Sequence, residues 1–299
     1  MATLPALSAV PVAAASTHGN RTTSSCTAKA GGAANARSAA PARSKGPANR
    51  EPMLHQKAIE VPHTMRAAAA KFSATIPVYF HVVSSGSVGN VSTPVINDQI
   101  KVLNNTYAGG EGGAATGFAF RLAGVTRTKN ATWYNAGPES AQEKAMKKAL
   151  HKGNRSALNL YSTSGGGYLG WAEFPNLSNA DLYLDGVVMD WRSMRGASTA
   201  YAGQYDQGET ATHETGHWLN LYHVFEGGCT APGDHVADTP RQSTATHGCP
   251  TNQDSCKSFP GKDNVHNYMD YSYDGCYTSF TPGQVQRMQD AWTALRAAG

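Results

Sequence analysis

Alternation opens the readable part of the chain. Thr75 to Val83, T-I-P-V-Y-F-H-V-V, is rich in β-branched and aromatic residues and predicts a strand. Thr93-Pro94 follows, a hydroxyl cap and then a proline suited to the first helical position. Ile96, Ile100, Leu103 and Tyr107 then recur on one helical face. Gly117 to Thr128 predicts a second strand. Ser140 and Glu143 form a capping-box pattern for a helix reaching Lys152. Ala157 to Ser162 and Asp185 to Trp191 predict short strands. Thr281 and Gln284 make another capping box, ahead of a stripe of Val285, Met288, Trp292 and Leu295. Strands and helices mix in the first half, while the second half is largely loop with two helices. The pattern predicts an α+β domain over 73–299, a small sheet backed by helices.

Residues 1–72 have no such pattern. They are rich in Ala, Gly, Ser, Pro and Arg, and too poor in large apolar side chains to offset the entropy of ordering. Residues 1–16 are small and apolar, with an Ala-Ala-Ala-Ser exit, and are expected to be a secretion signal, although the usual preceding positive charge is missing. Residues 17–72 are expected to be a largely disordered propeptide, joined to the domain somewhere between Met65 and Thr75. The net charge of +4 divides unevenly along the chain. Residues 1–71 hold nine Lys and Arg against two Asp and Glu, leaving sixteen basic against nineteen acidic residues beyond. The folded part is therefore slightly acidic, which disfavours nucleic acid as its partner. No apolar stretch is long enough to span a membrane. A monomer is expected.

Cys229, Cys249, Cys256 and Cys276 cluster in a loop-rich section and lack the Cys-x-x-Cys spacing of a zinc knuckle. They read as two disulfides with three pairings open, which implies an oxidising compartment outside the cell. Cys26 stands alone in the arm. Asn-x-Ser/Thr sequons occur at Asn20, Asn90, Asn104, Asn130, Asn154 and Asn176.

The chemistry concentrates in Thr210 to Cys229, T-A-T-H-E-T-G-H-W-L-N-L-Y-H-V-F-E-G-G-C. His213 and His217 are four apart, so a helix places both imidazoles on one face, able to grip one metal ion. Glu214 lies next to His213 and near the water such an ion would hold. Hydrolytic zinc takes three protein ligands and keeps one position open. His223 is the candidate third ligand, but six residues beyond His217 it is off the face of a continuous helix. The helix must break, and Asn220 is the residue to break it, since Asn follows Gly in tolerance of positive φ.

A second motif, H-N-Y-M-D-Y-S-Y-D over His266 to Asp274, follows. Together with H-E-T-G-H-W-L-N-L-Y-H-V-F, G-G-C, D-H-V-A-D-T-P and F-T-P-G-Q, it resembles the pappalysin-like (cytophagalysin) branch of the metzincins, secreted zinc metalloendopeptidases with close fungal and bacterial extracellular members. The match runs from about Ile76 to the C-terminus and departs from the usual pattern in having Asn220 where Gly is common. The resemblance implies a metzincin-type fold, with a small mixed sheet, an active-site helix, a methionine turn in the loop-rich half and a C-terminal helix. It implies one zinc held by His213, His217 and His223, Glu214 as general base, Met269 as a hydrophobic floor and Tyr271 near the oxyanion. It implies the pairs Cys229–Cys256 and Cys249–Cys276, and a calcium site with Asp234 and Thr239 among its oxygen donors. It also implies that Cys26 can latch a zymogen, a thiolate being a good zinc ligand.

Protein or peptide substrates follow from this reading. The resemblance also implies, through Asp274 near the last cysteine, a preference for basic side chains after the scissile bond. The glycine-rich stretch Ser164 to Gly170 is expected to border the cleft. Two rival classes are a secreted metal-binding module without catalysis and a metal-independent adhesin. Zinc content measured beside proteolysis, with and without chelator, separates the three.

Overall fold

The computed structural model describes residues 58–61 and 72–297. The expected signal segment, most of the expected propeptide and Cys26 lie outside the described residues. Five strands form one sheet in the order β2-β1-β3-β5-β4. They are β1 (Ala74–Ser84), β2 (Phe118–Lys129), β3 (Leu158–Thr163), β4 (Gly170–Ala172) and β5 (Val187–Asp190). β2, β1, β3 and β5 run parallel, and β4 pairs antiparallel with β5 at the edge.

Helices cover both faces, as a parallel sheet requires. Ile76, Val78, Phe80 and Val82 alternate along β1 and face a core shared with α1 (Thr93–Tyr107), α4 (Glu209–Trp218) and α5 (Pro282–Ala291). Tyr161, Trp171 and Val188 face the other way, onto α2 (Ala131–Tyr134) and α3 (Ala141–Leu150). The predicted α1 stripe is buried at all four positions.

Three local expectations change. Ser92, not Thr93, caps α1, and its side chain makes no capping bond, since proline in the first turn already presets the backbone. The α3 box is half formed. Ser140 accepts from the Glu143 N–H, but the Glu143 carboxylate turns to the Glu139 N–H, buried Lys147 at 2.8 Å and the Trp171 indole at 2.6 Å. The Thr281–Gln284 box closes in both directions. Beyond Ala291 that helix widens into a π turn over Trp292–Arg296. The wider turn shifts the phase, so Leu295 is half-buried while Arg296 points inward.

Arg296 meets Asp185 at 2.9 and 3.0 Å, donates to the Trp218 carbonyl and lies 3.5 Å over the Trp218 ring. The Trp218 indole N–H donates to Asp185 as well. This buried group fastens the C-terminal end of α4.

Candidate active site

α4 is buried on every side although its residues are mostly polar or small. Its packing is therefore polar and specific. The Tyr107 hydroxyl donates to the Thr212 carbonyl, and the Gln99 amide donates to the carbonyl of Gly208, the residue that caps the helix.

Two turns of α4 present His213 and His217. The helix stops where Asn220 takes φ +79°, the left-handed conformation expected of it. The chain reverses and returns His223 to the same point. The Nε2 atom of His217 lies 3.2 Å from that of His213 and 3.0 Å from that of His223. Ligands of one tetrahedral zinc, each at about 2.05 Å, stand about 3.3 Å apart. The spacing and the all-imidazole donor set fit that ion.

Second contacts set the tautomers. His213 Nδ1 donates to the Tyr268 carbonyl at 2.5 Å and His217 Nδ1 to the Leu221 carbonyl at 2.7 Å. A carbonyl only accepts, so Nδ1 carries the proton and each Nε2 turns its lone pair inward. The His223 ring stacks on Phe225, with centroids 4.7 Å apart.

The methionine turn braces this cluster from three directions. Its Tyr268 carbonyl holds His213, while the Met269 carbonyl accepts from the Val224 N–H, beside His223. Met269 itself is fully buried, and its sulfur occupies the space where a Cβ on Gly216 would sit. Gly216 costs the helix about 1 kcal/mol in propensity, and that space is what it provides.

Glu214 is 1% exposed and lines a cleft with Leu169, Tyr205, Glu209, His213, Tyr271 and Asp274 among its walls. Gly170 on edge strand β4 stands directly against it. A Cβ there would lie 2.7 Å from Glu214 Oε1 and 2.9 Å from the Val188 carbonyl. Gly170→Ala is therefore expected to displace the carboxylate and cut turnover by at least about tenfold, the equivalent of ~1.4 kcal/mol, with metal content unchanged. Peptide kinetics beside metal analysis check this.

The Tyr271 ring packs 4.9 Å from His223 and 5.8 Å from His213. Asp274 is buried in the same cleft, where one carboxylate oxygen accepts from the Gln207 N–H. The glycine-rich stretch Ser164 to Gly170 meets the cleft as expected, through Leu169 in its wall and Gly170 against Glu214, whereas sequence reasoning does not single out Glu209. Glu209 had a usable signal, since it stands one turn before His213 on the same face. Burial, then the Asp274 and Glu111 carboxylates, push its carboxyl up to about 10.

The structure joins Cys229 to Cys256 and Cys249 to Cys276. Away from the cleft, Asp234 accepts from the Val236 N–H and the Thr239 hydroxyl through one oxygen. Its other oxygen is buried with no hydrogen-bond partner among the described residues.

Comparisons with known proteins agree with this architecture. The peptidase M43 family, described as pregnancy-associated plasma protein-A, matches residues 169–293. An extracellular metalloprotease of Colletotrichum graminicola is 42% identical over 241 residues, covering 78% of this chain and 81% of that protein. One from Sordaria macrospora is 44% identical over 236 residues, covering 77% and 78%. Among solved structures, mirolysin in complex with a compound aligns with a TM-score of 0.66 at 32% identity, over 76% of this chain and 96% of that one. Promirolysin of Tannerella forsythia aligns with a TM-score of 0.65 at 31% identity, over 76% and 83%. This chain belongs to the peptidase M43, pappalysin-like family of metzincin metalloendopeptidases.

Proposed function

We propose that the chain is a secreted zinc endopeptidase, made with an N-terminal signal (1–16) and propeptide (17–72) ahead of a catalytic domain (73–299). The observation that carries the reading is the meeting of three Nε2 atoms at 3.0–3.2 Å, with two rings pinned through Nδ1. His213, His217 and His223 would hold the ion. Zinc bound there would supply Lewis acidity, lowering the pKa of water towards ~7 and polarising a peptide carbonyl.

The protein's own groups do the rest. A substrate strand can add to the open edge of β4, which brings its backbone beside Glu214. Glu214 takes the proton of the attacking water and passes it to the departing amine nitrogen. The Tyr271 hydroxyl donates to the oxyanion that develops on the carbonyl. Water is the nucleophile, so no acyl-enzyme forms. Glu209 and Asp274 give the cleft an acidic wall, which favours Lys or Arg in the residue after the scissile bond. An entering cation would lower the raised Glu209 pKa and recover its charge. Before processing, the Cys26 thiolate would occupy the open metal position. A calcium ion at Asp234 and Thr239 would satisfy the orphaned Asp234 oxygen. Burial pushes that carboxyl up to about 6, and a bound cation would offset that cost.

Chelation separates these roles. 1,10-Phenanthroline is expected to abolish casein cleavage, and one equivalent of zinc to restore it. EGTA is expected to lower the melting temperature while leaving zinc in place. Stoichiometric zinc with no cleavage by the processed protein would favour the metal-binding module instead.

A further inference from the structure

The described residues Ala58, Ile59, Glu60 and Val61 lie within the expected propeptide, yet they are packed on the domain. The contact is centred on Asn220, the departure from the usual Gly of the motif. The Asn220 side-chain amide accepts from the Ile59 N–H at 2.9 Å and donates to the Ile59 carbonyl at 2.8 Å. A single carboxamide thus satisfies both backbone groups of one residue, as one rung of a β-ladder does. Around it, the Tyr222 hydroxyl donates to the Ala58 carbonyl at 2.6 Å. Arg287 donates through Nε to the Asn220 carbonyl at 2.9 Å and through Nη2 to the Ile59 carbonyl at 3.2 Å. Ala58 is 6% exposed.

We propose that Asn220, Tyr222 and Arg287 form a main-chain binding site for an extended peptide, and that its occupant is this chain's own Ala58–Val61. The site reads mainly main chain. Glu60 does reach His235 at 2.8 Å and Arg287 at 3.3 Å, but its side chain is 64% exposed, so those pairs contribute little. Asn220 therefore carries two functions. Its left-handed backbone turns the chain between His217 and His223, and its side chain anchors the propeptide to that turn. A glycine there would perform only the first.

The expected processing junction, Met65 to Thr75, lies C-terminal to the anchored residues. While the chain is intact, the tether holds the segment at a high effective concentration. Cleavage at the junction removes that advantage, and the anchored segment is then released. The anchor is thus selective for the unprocessed chain and needs no metal–thiolate link.

Hydrogen exchange on the intact, unprocessed protein tests this. The Ile59 amide is expected to exchange at least about tenfold more slowly than in a free chain, and to return to the free-chain rate after cleavage at the junction. Asn220→Gly keeps the positive φ available and is expected to abolish the protection. Should that variant fail to fold, Tyr222→Phe combined with Glu60→Ala is expected to lower the protection several-fold. Free-chain exchange in the intact protein, or protection unchanged in the folded Asn220→Gly variant, would overturn the proposal. Protection that survives Tyr222→Phe with Glu60→Ala, where Asn220→Gly does not fold, would overturn it equally.

Discussion

Glu214→Ala is expected to fold, retain its metal and lose roughly 10³-fold in turnover, the contribution typical of a positioned general base. The metal should stay because its three imidazoles do not depend on this carboxylate. His213 and His217 are oriented by the carbonyls of Tyr268 and Leu221, and the segment after His223 is tied to the methionine turn. The fold should stay because Glu214 faces the cleft, so its removal enlarges a space that already exists. Glu214→Gln sharpens the test by keeping the shape against Gly170 while removing the basicity. Both variants should fall together in turnover, with zinc stoichiometry and circular dichroism like those of the parent. A variant keeping more than a tenth of the parental kcat would take the proton-transfer role away from Glu214.

The parts of this site that were legible in the sequence were those whose chemistry fixes a spacing. A helix with His213 and His217 four apart, a break at Asn220 and a return of His223 follow from what one ion demands of three ligands. Hydrophobic pattern alone would have missed α4, since T-A-T-H-E-T-G-H has no apolar stripe and contains a helix-weakening glycine. Its burial is paid for by hydrogen bonds to Tyr107 and Gln99 and by the room Gly216 leaves for Met269. Pattern did suffice for α1, which buries one regular face, and for β1, which alternates as far as Phe80 and is buried on both faces beyond it. Strand β4 was not legible, because three residues that begin inside a glycine-rich stretch carry no period. Nor was the inward turn of Arg296, which depends on a π turn that no local residue announces. The anchor at Asn220 was hidden for another reason. One side chain serves a turn near its own position and a partner 161 residues away.

The Arg296 group carries the second large expected effect. Asp185→Ala would leave a guanidinium that is 2% exposed without its carboxylate, and an indole N–H without its acceptor. Burial already pulls the Arg296 pKa down, and Asp185 opposes that pull. Breaking a buried pair from one side costs about 3–5 kcal/mol, which corresponds to a fall of roughly 6–20 °C in melting temperature for a domain of this size. The remaining carbonyl contacts, to Trp218 and Arg155, cannot balance the charge. Replacing both partners by apolar residues, as in Asp185→Leu with Arg296→Met, is expected to recover much of the loss, since the uncompensated charge is then gone. Thermal unfolding of the parent, the two single variants and the double variant measures the coupling directly. Additive losses would mean that the two groups act independently. Because Trp218 directly follows His217, a coupled loss would show that the far end of the helix carrying His213 and His217 is secured by an ion pair outside the cleft.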